Sequence, residues 1–66
     1  MEPVEHISQF FAFEHLPSRL QSISRPFKEM HDDILVLIPR NPERTVALRK
    51  LLEAKDAAVR AFLAVD

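Results

Sequence analysis

The side chains of this sequence that could transfer protons or act as nucleophiles are few and scattered. His31 precedes Asp32 and Asp33, a set that could hold a metal ion or supply an acid and a base. Adjacent helical residues point in different directions, so we expect these three side chains on a solvated face. The sequence has no Gly-rich phosphate loop, no zinc-binding pair of histidines and no EF-hand loop. It therefore predicts a protein that is not an enzyme and that carries no metal or cofactor.

Serine nucleophiles are not expected either. Ser18, Ser22 and Ser24 lie on the predicted first helix or at its start, where helix capping explains them. The chain has no cysteine, and none of these hydroxyls has a plausible base nearby. The sequence therefore predicts neither a Ser-His-Asp nor a Cys-His set.

Basic side chains concentrate where a second helix is predicted to begin, although the formal net charge is -1. The group consists of Arg40, Arg44, Arg49 and Lys50. Free backbone N–H groups at a helix start, the helix dipole, the Thr45 hydroxyl and the guanidinium groups would together suit a phosphate. The alternative is an ordinary charged surface with ion pairs four residues apart. Arg25 and Lys28 form a second basic pair, for which solvation is the alternative.

Aromatic residues are concentrated in an N-terminal arm, residues 1–15, which has no helix-capping signal. Phe10, Phe11 and Phe13 lie there, and His15 follows them. These rings either cover a helical pair that is short of apolar material or line a pocket. In a pocket, a ring would be a platform on which a nucleotide base stacks.

Helices are the elements that would position these groups, because the chain has no Gly for tight hairpin turns. From Leu16 onwards, apolar residues recur at alternating spacings of four and three, and Met30 and Leu37 are among them. This pattern predicts a helix one over residues 16–38. Pro26 should kink it, or divide it into a short helix and one capped by Ser22 or Ser24.

A proline-bounded turn separates helix one from a helix two predicted over residues 42–65. Asn41 is the expected N-cap and Pro42 the first helical residue. Helix two carries two seams. The first consists of Thr45, Leu48, Leu52, Lys55, Val59 and Phe62, and the second of Ala47, Leu51, Ala54, Ala58, Ala61 and Val65. The first would pack against helix one as an antiparallel hairpin, and the second would admit a further helix; alternatively, both form one wide face.

The length of the chain limits how stable such a hairpin can be alone. A chain of 66 residues buries only about 60% of its unfolded surface, and it has no disulfide or zinc site for support. We therefore expect one all-α domain, residues 1–66, that forms a homo-oligomer. The acidic N-terminus and the lack of a long apolar run predict a cytoplasmic protein without a membrane partner. The charge balance argues against binding to a DNA or RNA polymer.

Two segments resemble a known family. Phe13-Glu14-His15-Leu16-Pro17 and the run PERTVALRKLLEA, which begins at Pro42, resemble small phage proteins of the anti-CBASS and Thoeris anti-defence hairpin family. The resemblance covers about Phe11 to Leu63. It implies a two-helix hairpin that assembles into a hexamer, as a trimer of dimers. It also implies a non-catalytic sponge in the host bacterial cytosol that sequesters cyclic dinucleotides, cyclic trinucleotides or cyclic ADP-ribose isomers and so blocks anti-phage signalling.

The same resemblance implies roles for individual residues. Phe13 takes the place of a family aromatic, often Tyr, that stacks on a base, and His15 would contact the base edge. Either Arg25 or Lys28 would supply the basic contact of helix one. The implied contacts of helix two are Arg44, Thr45 and either Arg49 or Lys50. The family has separate pockets for different cyclic ligands, and in this shorter chain one could be absent.

One alternative function belongs to a different class. The small-residue seam could dock a helix of another protein, in which case the chain is a protein-interaction module without nucleotide binding. Fixed stoichiometry with a cyclic ligand would distinguish the sponge from this module.

Overall fold

The computed structural model describes residues 5–64, and these residues form three helices and no strand. A short 3-10 helix covers His6–Phe11, followed by α1 (Ser18–Leu37) and α2 (Pro42–Leu63). The predicted all-α class is therefore confirmed. The first four residues of the predicted arm and Val65, where the sequence predicts helix two to end, lie outside the described residues.

Helix α1 is one continuous helix that contains Pro26. It begins two residues later than predicted, because Pro17 occupies the N-cap position and its carbonyl accepts hydrogen bonds from the N–H groups of Leu20 and Gln21. The expected alternative of two successive helices is wrong, while the kink near Pro26 stays a prediction. The helix ends before Ile38, whose backbone is extended because it precedes Pro39.

Helix α2 begins as its sequence predicts. Asn41 has an extended backbone, and its Oδ1 accepts a hydrogen bond from the N–H of Arg44 at 2.8 Å. Pro42 is the first helical residue, where its missing N–H costs no hydrogen bond. The helix ends at Leu63, two residues earlier than predicted, since Ala64 is already extended.

The 3-10 helix is an element that the sequence analysis did not predict. Ile7 and Phe11, four residues apart, are its buried side chains, whereas Phe10 is 50% exposed. The helix packs against both α1 and α2. The arm thus covers the two long helices through Ile7 and Phe11, and not through all of its rings.

The core is thin. Among the described residues, the buried apolar side chains are Ile7, Phe11 and Leu48. Half-buried apolar residues surround them: Phe27, Ile34, Leu35, Leu51 and Leu52. Leu51 and Leu52 belong to different predicted seams, so both seams reach the same core at this level of α2.

The predicted stripe of α1 is buried only in part, since its Phe27 and Ile34 pack against the core. Met30 and Leu37 are 54% and 77% exposed, although the spacing of the apolar residues predicts that both face the core. Ser24 and His31 are buried in their place. Within the described residues, no helix is long and apolar enough to cross a lipid bilayer.

Candidate functional site

Phe13 and Arg25 form the first candidate site. The Arg25 guanidinium carbon lies 5.4 Å from the centroid of the Phe13 ring, within the range of a cation–π contact. Phe13 is half-buried and Arg25 is exposed. The structure therefore brings together the predicted stacking residue and one of the two basic residues proposed for helix one.

A turn between the 3-10 helix and α1 fixes the position of Phe13. The Phe13 carbonyl accepts a hydrogen bond from the N–H of Leu16 at 3.0 Å. Gln21 of α1 donates its side-chain N–H groups to the carbonyls of Glu14 and Leu16, at 3.2 and 2.8 Å. The turn is thus tied to α1, which also carries Arg25. His15 lies in this turn and is exposed.

The Glu14 carboxylate is turned back onto the same backbone. Its Oε2 accepts a hydrogen bond from the N–H of Phe13 at 3.1 Å. Hydrogen bonds from the backbone N–H groups of Glu14 and Phe13 lower the pKa of this carboxyl. Glu14 is therefore ionised beside Phe13 at neutral pH.

Lys28, the other basic candidate on helix one, is engaged with Asp32. Its Nζ lies 2.8 and 3.0 Å from the two carboxylate oxygens, an ion pair between residues four apart. Lys28, followed by His31, lowers the pKa of Asp32. Of the two candidates, Arg25 contacts the Phe13 ring and Lys28 is paired with a carboxylate.

Glu5, Arg44 and Thr45 form the second candidate site, here called the Glu5 cluster. The Thr45 hydroxyl donates to the Glu5 carboxylate, with distances of 2.9 and 3.2 Å to its two oxygens. Arg44 Nη2 lies 3.7 Å from Glu5 Oε1. The predicted anion site at the start of α2 thus brings Arg44 and Thr45 together, and a carboxylate of the same chain lies between them.

The other two basic candidates of α2 point elsewhere. Arg49 and Lys50 are exposed, and Lys50 Nζ lies 3.7 Å from Glu53 Oε1. No hydrogen bond or ion pair within residues 5–64 joins either of them to the Glu5 cluster. Their predicted contacts with a ligand stay predictions.

His31 is buried, and the prediction that it lies with Asp32 and Asp33 on a solvated face is wrong for this residue. It is 3% exposed and stacks on Phe11, with ring centroids 4.6 Å apart. The sequence does contain a signal for this burial. Phe27 and Leu35 lie four residues before and after His31, which places all three on one face of α1. Asp32 and Asp33 are exposed as expected.

A hydrogen-bonded chain links Ser8, His31 and Asp32. His31 Nδ1 lies 2.9 Å from Asp32 Oδ1, and His31 Nε2 lies 2.6 Å from Ser8 Oγ. In the neutral imidazole, a proton on Nδ1 would face the Asp32 carboxylate, and Nε2 would then accept a hydrogen bond from the Ser8 hydroxyl. The expectation that no Ser-His-Asp set exists was wrong, because it considered only Ser18, Ser22 and Ser24.

The order of these bonds is that of a nucleophile, its base and an orienting acid. The same bonds also give both nitrogens of the buried imidazole a hydrogen-bond partner, as buried polar groups require. They join the 3-10 helix, which carries Ser8, to α1. No three His, Asp or Glu side chains of the described chain gather where they could hold a metal ion.

Comparison with protein-family models, with curated proteins and with solved structures finds no significant match to this chain.

Proposed function

We propose that this protein is a non-catalytic sponge that binds a cyclic nucleotide second messenger and keeps it from the effectors of bacterial anti-phage defence. The observation that carries the proposal is the Arg25 guanidinium 5.4 Å from the Phe13 ring centroid. The resemblance of the Phe13-to-Pro17 and Pro42-to-Ala54 segments to the anti-defence hairpin family supplies the ligand class. The proposed location is the cytosol of an infected bacterium.

The Phe13–Arg25 pair suits a nucleotide for two physical reasons. A base stacked on an aromatic ring contributes about 1–3 kcal/mol. A guanidinium beside the ring can donate paired hydrogen bonds to a phosphate of the same ligand. Because Phe13 is half-buried in a turn tied to α1, its ring loses little further freedom on binding.

Assembly is part of the proposal. We infer that α1 and α2, joined by only a few residues, form an antiparallel hairpin that associates with further copies. The thin core supports association, as do the exposed large apolar residues outside the N-terminal arm: Met30, Val36, Leu37, Ile38, Val46, Phe62 and Leu63. A two-fold interface would double the Phe13–Arg25 pair and match the two bases and two phosphates of a cyclic dinucleotide. A hexamer is the assembly that the family resemblance favours.

Calorimetric titration with cyclic dinucleotides, cyclic trinucleotides and cyclic ADP-ribose isomers tests the proposal. We expect tight binding with fixed stoichiometry, and release of chemically intact ligand when the protein is heated. Phe13→Ala should weaken binding by tenfold or more, as loss of one stacked base implies. Phe10→Ala is the matched control, since Phe10 is an exposed ring of the same arm that contacts His6. A well-folded protein that binds none of these ligands would refute the sponge.

A protein-interaction module without nucleotide binding is the second candidate. The observation in its favour is the exposure of several apolar side chains close to the end of α1 and the start of α2: Val36, Leu37, Ile38 and Val46. Val36 is 84% exposed, which is unusual for a large apolar side chain next to others of its kind. This function predicts that Val36→Glu abolishes association with a different protein while Phe13→Ala leaves that association unchanged. The sponge differs in requiring Phe13 for binding of its ligand.

A further inference from the structure

Glu5 is a buried acid that the proposed function does not use. Its side chain is 4% exposed, and its carboxylate accepts a hydrogen bond from the Thr45 hydroxyl beside the Arg44 guanidinium. Glu5 also directly precedes the 3-10 helix, whose first residue is His6. A carboxylate from the N-terminal segment therefore lies where the first turn of α2 would receive an external anion.

The Arg44 guanidinium keeps spare hydrogen-bonding capacity although an anion lies next to it. Nη1 donates to the carbonyl of Ile38 at 3.0 Å, but Nη2 is 3.7 Å from Glu5, beyond hydrogen-bond distance. Nε is buried without a hydrogen-bond partner. The Arg44 side chain is only 10% exposed, so these donors are not left to bulk water. Buried donors of this kind cost free energy until an acceptor reaches them.

A phosphate group fits these donors better than the carboxylate does. A carboxylate has two oxygens in one plane, and in the Glu5 cluster both of them face Thr45. A phosphate has oxygens in a tetrahedral arrangement, so it can accept from the Thr45 hydroxyl and from the Arg44 fork at the same time. Both anions cannot occupy this volume together.

We propose that Glu5 closes an anion site at the start of α2, and that a phosphate group displaces it by binding Arg44 and Thr45. The proposal rests on the proposed function only in taking a phosphate ester as the natural anion. Displacement has a structural consequence, because Glu5 leads directly into the helix that supplies Ile7 and Phe11 to the core. Binding of the anion therefore loosens the 3-10 helix from α1 and α2.

The test is a titration of the isotopically labelled protein with inorganic pyrophosphate, followed through the backbone N–H signals of Asn41 and of residues 43–45. Glu5→Gln keeps the shape of the side chain but removes its charge, and we expect it to bind pyrophosphate about tenfold more tightly than the natural chain does. Glu43→Gln is the matched control, because it removes the same charge from the exposed first turn of α2. Its effect should stay below about threefold, as expected for a screened surface charge. Equal affinities of the two variants would overturn the proposal.

Hydrogen exchange in the natural chain gives a second readout that does not depend on folding of the Glu5→Gln variant. Saturation with pyrophosphate should accelerate exchange of the N–H groups of residues 8–11, since their helix is released. Unchanged or slower exchange would overturn the proposal, and so would a lack of binding by both the natural chain and the variant.

Failure of the proposed function gives a different pattern. If Glu5 closes the site but no cyclic nucleotide binds at Phe13, Glu5→Gln still binds pyrophosphate more tightly than Glu43→Gln does, and none of the cyclic ligands binds. If the sponge is correct and the closure is not, cyclic ligands bind and depend on Phe13, while Glu5→Gln behaves as Glu43→Gln does.

Discussion

Replacing His31 by alanine should cost a large part of the stability of this small fold. The imidazole is 3% exposed, hydrogen-bonds to Ser8 and Asp32 and stacks on Phe11. Each hydrogen bond contributes about 0.5–1.5 kcal/mol. The ring pair adds about 0.5–1.5 kcal/mol, and the void left behind adds to the loss. The expected loss is therefore about 2–5 kcal/mol, a large share of the roughly 5 kcal/mol that a domain of this size has.

Urea unfolding of the natural chain, His31→Ala, Ser8→Ala and the double variant measures this loss. Ser8→Ala removes only the bond to Nε2, so we expect a cost of about 1 kcal/mol. A double-mutant cycle should give a coupling of at least about 0.5 kcal/mol between the two sites. The reasoning is refuted if His31→Ala costs less than 1 kcal/mol or if the two changes are additive.

The same variants test whether the Ser8–His31–Asp32 chain has a catalytic role. We expect the protein to hydrolyse p-nitrophenyl acetate no faster than Ser8→Ala does, because the bonds serve to join the 3-10 helix to α1. Ester hydrolysis that requires both Ser8 and His31 would contradict the non-catalytic function.

Three further predictions concern the helices. Asn41→Ala removes the N-cap of α2 and should cost about 1 kcal/mol in thermal or urea unfolding; a cost below about 0.3 kcal/mol would contradict the capping role. Leu48→Ala, at a position that is 0% exposed, should cost about 2–5 kcal/mol, and a folded variant of unchanged stability would show that the core lies elsewhere. The pKa of Asp32 is lowered in the folded protein. Its ion pair with Lys28 therefore stabilises the fold at pH values above the unfolded-chain pKa of about 3.9, and this stabilisation is lost as the pH falls through the folded-state pKa. Because Asp32 is half exposed, the effect is at most about 0.5 kcal/mol, and Asp32→Asn should remove the difference in stability between pH 7 and pH 3 that this pair contributes.

Local signals in the sequence are enough to predict the two long helices, although not the 3-10 helix. Asn41 and Pro42 combine a side-chain acceptor with a residue that needs no hydrogen bond, and this pair begins α2 as predicted. The spacing of apolar residues predicts α1 and part of its buried face, because Phe27 and Ile34 pack against the core while Met30 is exposed.

Contacts between residues that lie far apart in the chain could not be predicted from the sequence. Burial of His31 depends on Ser8 and Phe11, which lie 20 or more residues earlier in the chain. The buried Glu5 carboxylate is paired with the Thr45 hydroxyl and the Arg44 guanidinium, about 40 residues later in the chain. From a single sequence, a charged or titratable residue is predicted to lie on the surface. Its burial can be recognised only when the residue that hydrogen-bonds to it in the fold is known. The basic groups at the start of α2 were identified, but the carboxylate between Arg44 and Thr45 was not.

The placement of Ile7 and Phe11 in the core also has a consequence for how the chain folds. Helices α1 and α2 each form from contacts between neighbours in sequence, which is fast. The contact of the N-terminal segment with α2 closes a loop of 40 residues, so its entropic cost falls on a later step. We therefore expect Ile7→Ala and Phe11→Ala to accelerate unfolding while leaving the refolding rate nearly unchanged. During synthesis, these apolar side chains leave the ribosome well before Leu48 does, so their packing stays incomplete until α2 emerges.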